Sequence, residues 1–238
     1  MRGWLLALFA LGLGTAVPGF ADDKNDEFRV IMNPTYSLTK DKSWIGVGYL
    51  GYWWSDDENY TVDYLGLGTI WTFAPDWETW LVLFGKRTNN EVAPDVDELR
   101  PTVSLKNYFI KTSTFRFYNT ARVEYRLLDT EGGRGTEYVR LRDRLGVDVA
   151  FGPTWYGVAA VEPFYRFDRD TFDPLRVRVG LGWVINQYLR AEFIYDMQFT
   201  RLNRDNELEW TDNIWRLNFK VARQRGVLDH VFGGDADE

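Results

Sequence analysis

The sequence predicts an all-β protein, a transmembrane antiparallel up-and-down β-barrel of 10 to 12 strands. Three observations carry this: alternation of apolar and polar residues along most of the chain, an export-type N-terminus, and a regular rhythm of short and long connections. The alternation is plainest in EYVRLRDRLGVDVAF, residues 137–151. There Arg140, Arg142 and Arg144 share one face, while Val139, Leu141, Leu145, Val147, Val149 and Phe151 share the other. Period two is the mark of a strand with two unlike faces. In a membrane barrel the apolar face meets lipid and the charged face lines the interior.

The N-terminus MRGWLLALFALGLGTAVPGFA carries one early charge, an apolar run from Trp4 to Leu13, and small residues before a cut after Ala21. It has the layout of a secretory signal peptide, and the run is too short to cross a bilayer. Residues 1–21 are therefore expected to be removed, residues 22–222 to form the barrel, and residues 223–238 to hang as a periplasmic tail. No later stretch is apolar enough for a membrane helix. Cysteine is absent from the chain, which argues against a small disulfide-stapled domain.

Composition agrees. Aromatic residues make up 17% of the chain, with 11 Trp, yet the mean hydropathy is −0.35. Half-apolar strands give that combination. The formal net charge is −7, but acids crowd into connections such as SDDEN and EVAPDVDE while bases crowd into strands. No lysine-rich exposed patch suggests a nucleic-acid partner.

In chain order, candidate strands cover residues 28–38, 44–54, 60–73, 78–86, 99–110, 115–128, 137–151, 158–167, 175–185, 189–200 and 211–221. APDW, KTST, GPTWYG and NQY make short turns. SDDEN, residues 87–98, DTEGGRGT, DRDTFDP and residues 201–210 make longer, more acidic loops, as on the two rims of an outer-membrane barrel. Trp44, Trp77, Trp155 and Tyr188 flank the short turns, and Trp53, Trp54, Tyr60, Phe172 and Trp210 flank the long loops. These read as two interfacial aromatic belts. A secreted β-sandwich is the competing fold. Bacterial barrels have an even strand count, and the strands after residue 44 make a consistent ten. The segment 28–38 is then an extra strand, a periplasmic lead-in, or one of a pair. Its Pro34 cannot donate to a ladder and suggests an edge or seam, and Pro163 suggests a bulge. Asp143, the one acid on an apolar face, either turns inward between Arg142 and Arg144 through a bulge, the favoured expectation, or sits in lipid near a partner.

A charge in lipid is costly, about 2–4 kcal/mol for Arg at the midplane, so the basic rows must face inward. The expected lumen-lining residues are Arg116, Arg122, Glu124, Arg126, Arg140, Arg142, Arg144, Arg176, Arg178, Arg190 and Asp196. Two functions compete for them. The first is structural pairing, with Glu124, Asp148, Glu162, Glu192 and Asp196 as counter-charges, in a barrel that is structural or a small passive channel. The second is an anion-selective or acidic-oligosaccharide-selective pore. Inward glycines (Gly46, Gly48, Gly66, Gly68, Gly180, Gly182) are expected to leave open space beside the wall. An outer-membrane lipid-modifying enzyme is disfavoured, because His230 is the sole histidine and lies in the tail, away from any serine–acid pair. The loop DRDTFD lacks the glycine and distal glutamate of a calcium loop. No metal or cofactor is expected. Expected partners are outer-membrane lipids and lipopolysaccharide, the barrel assembly machinery and small anionic solutes.

ELRPTVSLKN, FYNTARVEYR, YVRLRDRLGV and RVRVGLGWVINQYLRAEFIYDMQ resemble the arginine-rich strands of an uncharacterised bacterial outer-membrane β-barrel family, a domain of unknown function. That resemblance implies a barrel in the outer membrane of a Gram-negative cell and no established activity. A weaker similarity is to oligogalacturonate-type porins, which line a small barrel with arginines. The chain departs from the usual barrel pattern in continuing about fifteen residues past its last strand.

Overall fold

The structure is a computed structural model that describes residues 25–55, 60–91, 93–133, 135–169, 171–201 and 208–228. Residues 1–21, expected to be a signal peptide, and His230 lie outside them. Eleven strands form one closed barrel: β1 (Asn25–Ser37), β2 (Trp44–Ser55), β3 (Tyr60–Ala74), β4 (Trp77–Asn90), β5 (Val96–Lys111), β6 (Phe115–Thr130), β7 (Thr136–Ala150), β8 (Trp155–Arg166), β9 (Thr171–Asn186), β10 (Leu189–Arg201) and β11 (Leu208–Ala222). Ten of the eleven pairings are antiparallel neighbours in sequence. The eleventh closes the barrel in parallel, β1 on β11, from Asn25 opposite Asp212 to Thr35 opposite Ala222. Closure leaves no edge strand to satisfy, and it excludes the sandwich.

The parity expectation fails, although the strand number falls within the expected range. The segment from Asn25 to Ser37 is a full member of the wall, so the count is odd. Its Pro34 sits at the seam, and the β1·β2 ladder is interrupted there, between Met32 opposite Leu50 and Thr35 opposite Val47. An even count follows only if both ends of the sheet lie at one rim. A parallel seam removes that condition, and alternation along a strand says nothing about its direction. As a result β1 starts at the long-loop rim and β11 ends at the short-turn rim.

The outer surface is apolar over most of its height. Leu65, Leu67, Leu81, Leu83, Val103, Val123 and Val179 stand exposed there. Trp44, Trp77, Trp155 and Tyr188 ring the short-turn end on the outside, as expected. At the other end Phe172 is exposed, but Trp53 is 6% exposed and faces inward under Arg29. Tyr60 also turns in, its hydroxyl donating to Glu27. Strand parity decides both cases: Trp53 follows Ile45 and Val47 onto the inner face, and Tyr60 precedes Val62 there.

Pro163 does mark an irregularity, a register shift against β9 between Pro163 and Tyr165. Asp143 does not. The β6·β7 register runs unbroken from Phe115 opposite Val149 to Leu128 opposite Thr136, with Asp143 opposite Ala121. Its carboxylate points outward and accepts a hydrogen bond from Asn119 Nδ2 at 2.6 Å. A local polar partner satisfies the acid without re-aiming the strand.

The chain does not end with the wall. Residues 223–228 turn under the short-turn rim, with the Arg223 amide donating to the Thr35 carbonyl at 3.0 Å and the Ser37 amide donating to Gln224 Oε1 at 2.5 Å. Gly226 takes φ +75°, a left-handed conformation open to glycine at little cost. Val227 and Leu228 then enter an apolar cluster with Ile45, Val47, Ile70 and Val82.

Candidate functional site

The inner wall has two halves. On β2–β4 it is mainly apolar and aromatic, with Val62, Ile70, Val82 and Phe84 buried and Tyr64 stacked on Phe84, and with Glu78 and Lys86 as the charged exceptions on β4. From β5 round to β11 it is charged. The division follows from the sequence, since inward positions of the early strands carry Ile, Val and aromatic residues where later ones carry Arg, Glu and Lys.

In the charged half, carboxylates sit against the wall and arginines fan around them. Glu124, fully shielded, accepts Arg140 Nε and Nη2 at 2.8 and 2.5 Å and Arg142 Nη1 at 2.7 Å. Glu162 takes the rest of Arg142, at 2.9 Å from Nη2, and Arg144 at 3.0 Å. Glu98 holds Arg100 at 2.6 Å and also Arg126. Asp196 holds Arg178 at 2.6 Å and also Arg216, and Glu192 holds Lys220. Such planar, forked pairing is what guanidinium chemistry favours. Arg122 lies directly opposite Arg142, a like-charge juxtaposition that opposes folding unless counter-charges intervene. Phe164, 1% exposed, offers its ring to Arg142, Arg140 and Arg176 at 4.6, 4.9 and 5.2 Å. Cations over an aromatic face add attraction where water is scarce.

The arrangement encloses a cavity of about 500 Å³. Among the described residues, thirteen Arg and Lys side chains line it, against the three acids Glu27, Asp148 and Glu192. The other carboxylates stand behind the arginines, so the cavity presents mostly cations. Several of these have no carboxylate within 4.0 Å among the described residues. Arg122 donates from Nε to Ser104 Oγ at 2.9 Å. Arg176 donates to Gln198 Oε1 at 2.5 Å, and its Nε has no partner. Lys106 lies over the Tyr108 and Tyr118 rings at 4.4 and 4.1 Å.

Among the expected lumen residues, Arg122, Arg126, Arg140, Arg142, Arg144, Arg176 and Arg178 line the cavity. Arg116, Glu124, Arg190 and Asp196 also point inward but are buried in the wall beside it. Of the counter-charges, Asp148 makes no ion pair within 4.0 Å among the described residues; it accepts the Tyr118 hydroxyl at 3.5 Å. Sequence reasoning missed Glu98, Arg100 and Lys106, although RPTVSLK alternates like the later strands. It also missed Arg29, Arg216 and Lys220, whose inward aim depends on how β1 meets β11.

The expected glycine space is absent. Gly46 and Gly48 face outward, where added methyls would strike Tyr36 and Pro34. Gly66, Gly180 and Gly182 do face in with Gly68, but rings or aliphatic groups cover them: Phe84 over Gly66, Tyr156 over Gly182, Val158 and Ile194 over Gly180. Small residues here accommodate large neighbours across the sheet. The open volume lies instead among the arginine heads.

A comparison with curated proteins finds no match. A family model matches residues 20–209, nearly the whole barrel, and by that match the chain belongs to DUF2490, a family of proteins of unknown function.

Proposed function

We propose that this protein is an outer-membrane β-barrel of a Gram-negative cell, exported by its N-terminal signal peptide, whose arginine-lined lumen is a small passive passage that favours anions. The single observation that carries this is the cavity lining: among the described residues thirteen bases border it against three acids, and four of those bases, Lys86, Lys106, Arg122 and Arg176, have no carboxylate within 4.0 Å. An excess of fixed guanidiniums in a narrow lumen attracts carboxylates and phosphates and repels cations. The continuous apolar outer surface with tryptophans at the short-turn rim supports a lipid setting. Short turns would then face the periplasm and the acidic loops the exterior. The ion-paired residues around Glu124 and Glu162 support a second role for the same row, as struts that hold a narrow barrel rigid. Both roles fit one molecule because different arginines serve them.

The test is ion current through the refolded protein in a planar bilayer under a salt gradient. We expect anion preference that fades as salt rises, because screening shortens to about 8 Å at physiological ionic strength. Arg122→Gln and Arg176→Gln, which touch cations without carboxylate partners, should lower that preference in a folded barrel. Unchanged selectivity in both would refute the passage and leave the strut role. Recovery of the protein from the soluble periplasmic fraction would refute the location.

A further inference from the structure

We infer that the segment following the last strand is a plug: residues 223–228 close the short-turn end of the lumen. Several independent contacts place the segment there. Backbone and side-chain hydrogen bonds fasten Arg223 and Gln224 to the end of β1, at Thr35 and Ser37. The left-handed Gly226 reverses the chain beside Lys42, whose Nζ lies 2.4 Å from where a Cβ would stand. The Lys42 end could swing away, so it is the left-handed backbone, φ +75°, that calls for glycine at this reversal. Val227 and Leu228 then point into the barrel and are 0% and 1% exposed. Their neighbours Ile45, Val47, Ile70 and Val82 all belong to the inner face at the short-turn ends of β2, β3 and β4.

The chemistry of the plug is opposite to that of the cavity above it. Hydrated anions are drawn to the guanidiniums, but on the β2–β4 side of this end they meet Ile, Val and Leu, and apolar constrictions of this kind stop ions by excluding water. The plug and the β2–β4 wall share one apolar cluster, so the tail completes a core that those strands leave unfinished. Among the described residues, 223–228 meet the wall through the Arg223 and Gln224 hydrogen bonds and the Val227 and Leu228 side chains, whereas a wall strand is bonded along its length on both sides. The tail can leave without breaking the ladder, which makes this end of the lumen the one that opens.

The chain has no cysteine, so a single thiol reports on the site without background. Val82→Cys puts one beneath the plug in the otherwise native full-length protein, refolded and checked by its heat-modifiable band. A charged, membrane-impermeant thiol reagent should modify it at least about tenfold more slowly than in the unfolded chain. Adding Leu228→Asp, or removing residues 223–238, should raise the rate at least about tenfold in a barrel that still shows the folded band. Rapid modification with the tail intact overturns the plug, as does a slow rate that the tail variants leave unchanged. Failure of both tail variants to form a barrel also overturns it, because the segment would then be part of the wall. Thiol modification decides the plug without ion current. The consequence for conduction rests on the passage proposed above: tail variants should conduct more than the native protein. Absence of current in both forms refutes that passage, while the thiol-modification rates still decide the plug.

Discussion

Glu124→Gln tests the strut network most directly. The carboxylate is 0% exposed and accepts three hydrogen bonds from Arg140 and Arg142 between 2.5 and 2.8 Å, with Arg100 4.0 Å away. Glutamine keeps the shape and one acceptor but removes the charge that separates three guanidiniums. Deleting one partner of a buried pair costs about 3–5 kcal/mol, since the other charge remains desolvated. Because Arg140 and Arg142 border the cavity and are not sealed on every side, the lower end, about 3 kcal/mol, is the expected loss. The assay is reversible unfolding in urea, in detergent or vesicles, followed by tryptophan fluorescence and by the heat-modifiable band. Pairing Glu124→Gln with Arg140→Gln should restore about 2 kcal/mol relative to the sum of the single changes, a coupling typical of groups in one network. Arg122→Gln should cost less than about 1 kcal/mol or stabilise, because it removes the guanidinium opposite Arg142. A loss under about 1 kcal/mol for Glu124→Gln, or strict additivity with Arg140→Gln, would show that the carboxylate does not hold the arginines together.

Other positions give sharper local tests. Phe164→Leu removes the ring that Arg140, Arg142 and Arg176 approach within 5.2 Å, and should cost about 2 kcal/mol in the same unfolding assay; a loss within error would deny the ring its role. Gly182→Ala places a methyl 2.1 Å from the Tyr156 ring and should cost about 1–3 kcal/mol through overpacking, with Tyr156→Ala in the same chain relieving that added strain. Asp143→Asn keeps the outward hydrogen-bonding partner for Asn119 while removing a charge from the apolar face. If that face meets lipid, the barrel gains about 1 kcal/mol in vesicles, and a loss would count against the lipid setting.

Much of this molecule was legible from period two alone. Alternation placed the strands, set Arg140, Arg142 and Arg144 on one face, and offered Glu124 and Glu162 among five candidate counter-charges, because a strand's geometry sends every second side chain the same way. The count of bases over acids in the late strands likewise foretold a cationic lumen. Local pattern could not decide how the sheet closes. The seam between β1 and β11 joins residues nearly two hundred positions apart, and that pairing made the strand number odd and brought Arg29 and Arg216 into the lumen. Nor could it decide which arginines would be struts and which would stay without a carboxylate. That choice depends on cross-strand register, where Glu124 meets Arg140 while Arg122 meets Arg142. Asp143 kept its outward parity because Asn119, on the neighbouring strand, was in reach. The tail was read as a polar appendage, and only the unfinished apolar end of the barrel, assembled from β2, β3 and β4, gave Val227 and Leu228 somewhere to be buried.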